Sequence, residues 1–458
     1  MPQDPTQPTQ PTDPADQAVP PREPTEPTPE PELAPLLVLR DGLPPVIETE
    51  TALRDYCDLL AAGTGPVAVD AERASGYRYS NRAYLVQLRR DGAGTALVDP
   101  IHFDSLAPLA AALEGAEWIL HAATQDLACL AEIGLHPTSL FDTELAGRLL
   151  GKPRVGLATL VEELVGLRMR KEHSAADWST RPLPTSWLQY AALDVEVLLE
   201  LREAMVEQLE AAGKTEWARQ EFEALLSFQP TVREEVWRRT SGAHRLRGRR
   251  AQGAVRGLWE ARDLIARERD VAPGRIIPDS AIVAAAAAMP ENRDALLAVP
   301  GFHGRGAARY ARNWVDAIAA ARDLPENDLP GRPARTDGPP QPRAWADRDP
   351  VAARRLLHAR ATMTTLAEEH DLPVENLLTP DYLRRVLWSP PSTRDEGALA
   401  EAVTTQLRGY GARQWQIDLS LPAITAAIHA CDVPPPAAEA ATPAEPFEPA
   451  DPDPAAGD

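Results

Sequence analysis

A chain of 458 residues, 44% of them hydrophobic, is long enough for two or three domains with real cores, although 46 prolines imply long stretches outside any core. A formal charge of −21 argues against a polyanionic partner until its distribution is read: residues 1–34 carry seven acids and one arginine, and residues 433–458 carry six acids and no base. The tails hold more than half of the excess, so the remainder is only mildly acidic and nucleic-acid binding is not excluded.

Residues 1–34, rich in proline, threonine and glutamate, read as an extended or disordered tail. "MPQDPTQPTQPTDP" lacks the basic start and apolar core of a signal peptide. Residues 35–230 read as one α/β domain. "PVAVD" (66–70), "AYLVQLRR" (83–90) and "GTALVDP" (94–100) are strand-like runs separated by turns. "SLAPLAAALEG" is helical, "EWILHA" (117–122) is a short buried strand, and "TQDLACLAEIG" starts a helix with Thr124 as N-cap and Gly134 as stop. A long helix is expected over 186–209. This order predicts a mixed sheet flanked by helices.

Residues 231–322 are predicted helical, 323–349 a proline-rich linker, 350–432 helical again, and 433–458 an acidic tail. The two helical blocks look like a weak internal repeat: in 258–286 and 356–386 an apolar-periodic helix is followed by Asp, a proline two residues on, an apolar pair, and Pro-Asp opening the next helix. No run of about 18 apolar residues suggests a membrane span. Cys57, Cys129 and Cys431 form neither a zinc pattern nor a disulfide framework, and reduced thiols in a cytoplasmic protein are expected.

Three segments carry acids that need an explanation. In "VAVDAERASG", Asp70 and Glu72 are two apart, so a strand places both on one face, where like charges repel unless a cation sits between them. Asp126 lies where a strand turns into a helix, at the kind of strand end where α/β sheets do chemistry. Tyr190 and Asp194 are i and i+4 on an apolar helix, so Asp194 faces the core or a cleft. Each acid alone suits a turn, a cap or a packing pair. Together they suit magnesium or manganese, and two such ions can clamp an in-line phosphoryl displacement.

"VAVDAERASGYRYSNRAYLVQL", "LHAATQDLACL", "LFDTELAGRLLG", "KEHSAADWSTRPLP" and "LQYAALDVEVLLEL" resemble the motifs of ribonuclease D, a 3′→5′ exoribonuclease family of the DEDD superfamily, tyrosine branch, with an RNase H-like fold. Residues 231–322 resemble the helicase-and-RNase-D C-terminal (HRDC) domain, and 350–432 a second, degenerate copy. The resemblance implies that Asp70, Glu72, Asp126 and Asp194 ligate two divalent cations (Mg2+ or Mn2+), with Asp70 the bridge. It implies that Tyr190 orients the attacking water, that RNA such as tRNA precursors is the substrate, and that nucleoside 5′-monophosphates are released. Position 71 is Ala and position 73 is Arg, where the family commonly has Thr and an aromatic.

RNA contacts are expected from Arg73 and from the interleaved Tyr77, Arg78, Tyr79 and Arg82, whose alternative is an ordinary hairpin turn. They are also expected from Arg238, Arg239, Arg245, Arg247, Arg249 and Arg250, six arginines in a run without an acid; the alternative is a solvated helix face. His121 reads as a core residue or a support for the site, and Asp142 as a helix cap. Lys171, Trp178 and Arg181 match the family stretch around "DWSTRPL". Two other functions fit less well: a DNA exonuclease of the same chemistry, and a non-catalytic RNA-binding module, which need not keep the acids and Tyr190. Protein partners and oligomeric state are not legible.

Overall fold

Thr64–Arg73 forms a central strand because it offers small and apolar side chains to both faces: Val67, Ala68, Val69 and Ala71 are all buried. The computed structural model describes residues 33–170, 176–231, 234–331 and 338–432. Strands β1 (Val46–Ile47), β2 (Thr64–Arg73), β3 (Ala83–Asp91), β4 (Gly94–Val98), β5 (Glu117–Leu120) and β6 (Ser139–Asp142) form one mixed sheet in the order β1-β4-β3-β2-β5-β6. β3 runs antiparallel to β2 and β4, and every other pairing is parallel. The helices of this domain are α1 (Glu50–Ala62), α2 (Ala107–Ala112), α3 (Leu127–Glu132), α4 (Thr143–Leu149), α5 (Leu157–Leu164), α6 (Thr185–Glu196), α7 (Leu198–Ala211) and α8 (Thr215–Leu226).

Local expectations needed correction in two places. Thr124 is not an N-cap: it lies in a 3-10 turn, Ala123–Gln125, and α3 begins only after Asp126. The expected single helix over 186–209 is two, broken at Val197. β1 and β6 escaped notice because two to four residues carry no readable periodicity.

The next helices are α9 (Arg249–Arg269), α10 (Pro273–Ile276), α11 (Asp279–Ala288), α12 (Arg293–Leu297), α13 (Arg305–Arg309) and α14 (Ala311–Asp323). They enclose their own core around Leu258, Ile282, Phe302 and Trp314. The last are α15 (Trp345–Arg348), α16 (Pro350–Glu369), α17 (Val374–Leu377), α18 (Pro380–Trp388), α19 (Glu396–Tyr410) and α20 (Gln414–Asp432). The expected linker 323–349 is too long. Trp345 is fully buried and donates its indole N–H to the Pro340 carbonyl (2.8 Å), so residues from Pro340 onward belong to the C-terminal block. At the other end Leu329 and Pro330 are buried too. Residues 332–337 and the tails 1–32 and 433–458 lie outside the described residues.

The C-terminal block shares one continuous apolar core with the α/β domain. Trp217 of α8 stacks on Trp415 of α20, ring centres 4.8 Å apart and 14° from parallel. The Trp415 indole N–H donates to Glu221, which also pairs with Arg413. The Lys214 ammonium donates to the Leu149 and His370 carbonyls, one on each side of the junction. Gly151 fits there because it has φ +70° and a Cβ would stand 2.5 Å from the Asp371 carbonyl oxygen. Trp415→Ala is therefore expected to cost about 3–5 kcal/mol in urea unfolding. A loss under about 1 kcal/mol would show that the block is only loosely attached. Among the described residues, no helix is long and apolar enough to cross a membrane.

Candidate active site

β2 delivers Asp70 and Glu72 to the sheet face covered by α6, which packs on β2, β3 and β4. Ala191 and Ala192 of α6 let it lie close on Leu85 and Leu97. The same helix brings Asp194 over β2. Oxygens of Asp70, Glu72 and Asp194 lie within 4.8 Å of one another. The Tyr190 hydroxyl, one turn back, is hydrogen-bonded to the Asp194 carboxylate.

Asp126 reaches the site by a turn that must be held open. β5 ends at Leu120 and His121 follows; Ala122 then takes the left-handed conformation (φ 59°), and the 3-10 turn comes next. The Asp142 carboxylate fixes this bend. It accepts the N–H groups of Ala122 (3.1 Å) and Ala123 (2.8 Å), while capping α4 through Glu144 (2.9 Å) and Leu145 (3.1 Å). Asp142 is thus a cap, and more than a cap. Asp126 sits beside the three-carboxylate group rather than within it, with one oxygen 3.8 Å from the Arg73 guanidinium.

Arg73 offsets only part of the acidic charge here. Burial, reinforced by Asp70, Asp194 and Asp126, pushes the Glu72 carboxyl up to about 10. Burial and then Asp70 lift Asp126 to about 8, and burial lifts Asp70 to about 6, with Arg73 pulling both back. Asp194 is raised well above the carboxylate range by burial and Asp70. Burial and the neighbouring carboxylates also raise the Tyr190 phenol, which stays protonated at neutral pH. His121, hydrogen-bonded to Thr143 (2.9 Å), is driven down to about 4 by burial and faces the cleft as neutral imidazole. Clustered all-oxygen donors with excess negative charge fit hard divalent cations.

The acids line a cleft of about 560 Å³ together with Tyr190, Arg73 and His121. Gln125, Leu157, Met169 and Arg170 line it as well, and sequence reasoning missed them. They come from the 3-10 turn, α5 and the segment after it, with no motif to mark them; only the basic "RMRK" stretch around Arg170 was a hint. Lys171 lies outside the described residues. Arg181 forms a two-pronged pair with Asp99 (2.6 and 2.8 Å) and bonds the Tyr84 and Trp178 carbonyls, and Trp178 is fully buried in the small core with Ala191 and Ala192; neither lines the cleft.

The residues after β2 expected to contact RNA are engaged within the protein. Tyr79 donates to Asp263 of α9 (3.0 Å), and the Arg267 guanidinium lies over its ring. The Tyr79 and Ser80 N–H groups donate to Asp270, and the Ala272 N–H donates to the Tyr77 carbonyl. Arg275 covers the Tyr77 ring at 4.1 Å and bonds the Gly76 carbonyl, and Arg78 bonds Ser179 (2.7 Å). This segment docks the first helical block onto the catalytic domain. Arg82 remains exposed, its guanidinium over Tyr84.

The arginine run divides. Arg238 pairs with Glu235, Arg249 bonds the Leu329 and Pro330 carbonyls, and Arg250 bonds the Arg322 and Leu324 carbonyls and Glu326. These three tie down the end of their own block. Arg239, Arg245 and Arg247 are exposed and form no ion pair among the described residues.

Comparison with known proteins agrees with this geometry. Residues 44–210 match the 3′-5′ exonuclease family, 251–318 the HRDC domain, and 338–428 a 3′ to 5′ exonuclease C-terminal domain. Ribonuclease D of Gluconacetobacter diazotrophicus is 31% identical over 333 residues, 71% of this chain and 81% of that protein. The chain belongs to the ribonuclease D family. It is accordingly a 3′→5′ exoribonuclease, a hydrolase. Ribonuclease D of Escherichia coli is 28% identical over 348 residues, 75% of this chain and 89% of that protein. Its crystal structure, described as an exoribonuclease involved in structured RNA processing, superposes with a TM-score of 0.59 at 26% identity, covering 80% of this chain and 99% of that one. A Bifidobacterium adolescentis protein superposes with a TM-score of 0.79 at 38% identity, covering 86% and 100%. A divalent-metal requirement and RNA as substrate go with the family.

Proposed function

We propose that Asp70, Glu72, Asp126 and Asp194 hold two divalent cations, Mg2+ or Mn2+, and that the cleft trims the 3′ ends of structured RNA such as tRNA precursors. The observation that carries this reading is the convergence of three carboxylates within 4.8 Å, with Asp126 on the wall beside them. Held by these acids, such ions would supply a more acidic attacking water and would offset charge on the departing 3′ oxygen, the product being a nucleoside 5′-monophosphate. The protein supplies position. Tyr190 keeps its proton and therefore orients water rather than acting as a base. Arg73 stands at the acids ready to meet a phosphate, and Arg170 adds a second cation to the cleft lining. Structured RNA is inferred from the Escherichia coli relative. A cytoplasmic location agrees with three buried, unpaired cysteines.

The deciding assay incubates 3′-labelled single-stranded RNA and matched DNA with the protein and magnesium, manganese or EDTA. Metal-dependent release of mononucleotides from RNA is expected. Preference for DNA would favour a repair exonuclease, and no release from either polymer would leave only an RNA-binding module. Arg239, Arg245 and Arg247 are assigned to sequence-independent phosphate contacts. Replacing all three by Ala should weaken RNA binding and flatten the slope of log affinity against log salt by up to about 2. An unchanged slope would make them solvated surface.

A further inference from the structure

Gln87 is fully buried in β3, and neither its amide nitrogen nor its amide oxygen has a hydrogen-bond partner. A buried amide left unsatisfied at both ends is disfavoured, and native proteins rarely keep one without a use. Its place in the sheet supplies that use. In the antiparallel pairing of β2 and β3, Gln87 is directly opposite Asp70, so the two side chains stand on the same face under α6. Opposite Gln87 on its other side is Leu97 of β4, fully buried and apolar. Along β3 the same face carries Leu85 and Arg89, and the Arg89 Nη1 is already engaged by Thr95 and Glu196. Asp70 is therefore the polar residue directly across the ladder from this amide.

We propose that Gln87 is the positioning residue for Asp70: its amide N–H, unpartnered in the metal-free chain, would donate to the Asp70 carboxylate once a cation is bound. This rests on the cation site proposed above. A ligating carboxylate needs its second oxygen held, because a freely turning carboxylate loses its aim and its affinity for the ion. The Ala71 backbone N–H already contacts Asp70, and Gln87 supplies a donor from the neighbouring strand without adding charge. A lysine or arginine in its place would compete with the cation; an amide does not.

The test uses the full chain carrying Gln87→Met or Gln87→Leu, side chains of similar bulk without the amide. Mn2+ binding is measured by calorimetry, alongside the unfolding midpoint in EDTA. Both variants should bind Mn2+ about 10–100-fold more weakly than wild type. Their metal-free midpoints should be unchanged or raised, since an unsatisfied buried amide has gone. Wild-type affinity in either folded variant overturns the proposal. So does weakened binding with a lowered metal-free midpoint in both, which is the signature of packing alone. A wild-type protein that takes up no Mn2+ removes the cation site itself, and that failure is read in the wild-type titration before any variant is compared.

Discussion

Asp70→Asn should abolish 3′-end trimming and, in the same protein, raise the stability of the metal-free fold at pH 8. The two effects share one cause. Asp70 is the acid whose charge presses on Glu72, Asp126 and Asp194 alike. Its own carboxyl is lifted by burial from 3.8 to about 6, so holding it ionised costs the folded state on the order of 3 kcal/mol. Asn keeps the shape and removes that cost, while one of the three converging ligands is lost. The loss of turnover should exceed the roughly 10²–10³-fold penalty of deleting a single charge-stabilising donor. Single-turnover release from labelled RNA and unfolding in EDTA measure both. Full activity would remove Asp70 from the site. A variant that is inactive and less stable would show that Asp70 is chiefly a structural anchor.

The site was legible because each of its acids breaks a local rule. Asp70 and Glu72 interrupt a strand buried on both faces, and Asp194 interrupts an apolar helix stripe, so the pattern itself marks them. What could not be read is where long-range partners lie. Tyr77, Arg78 and Tyr79 have the chemistry of a nucleic-acid groove, but stacking and hydrogen bonding suit Arg275, Arg267 and Asp263 as well as they suit bases and phosphates. The arginine run misled for a related reason: a guanidinium binds a carbonyl at a helix end as readily as a phosphate, and Arg249 and Arg250 do so. Trp217 and Trp415, 198 residues apart, fuse two blocks that composition alone separates. The pairing of Gln87 with Asp70 needed the register of β2 on β3, which a run of apolar residues does not specify.

Metal-free protein should lose stability as the pH rises from about 6.5 to about 8, and a divalent cation should restore more of it at the upper end. Asp126 near 8, Glu72 near 10 and Asp194 well above its ordinary value all titrate later in the folded chain than in the unfolded one, where carboxyls lose their protons near pH 4. Between those limits the folded state binds more protons, so stability is fully present below about pH 4 and falls with rising pH. His121 works in the opposite sense: its value near 4 lies below the unfolded 6.5, so it adds stability with rising pH, but only up to about 6.5. Above that the carboxylates act unopposed, each acid that is still protonated in the folded chain adding a slope of about 1.4 kcal/mol per pH unit. Cations bind the deprotonated acids, so the Mg2+-induced rise in unfolding midpoint must grow over the same interval. Unfolding midpoints in EDTA and in Mg2+ at pH 6.5, 7.2 and 8 decide the matter. A flat EDTA series, or a Mg2+ increment that does not grow with pH, would mean that the acids are already neutralised inside the protein, and Arg73, 3.8 Å from Asp126, would then be the group to replace.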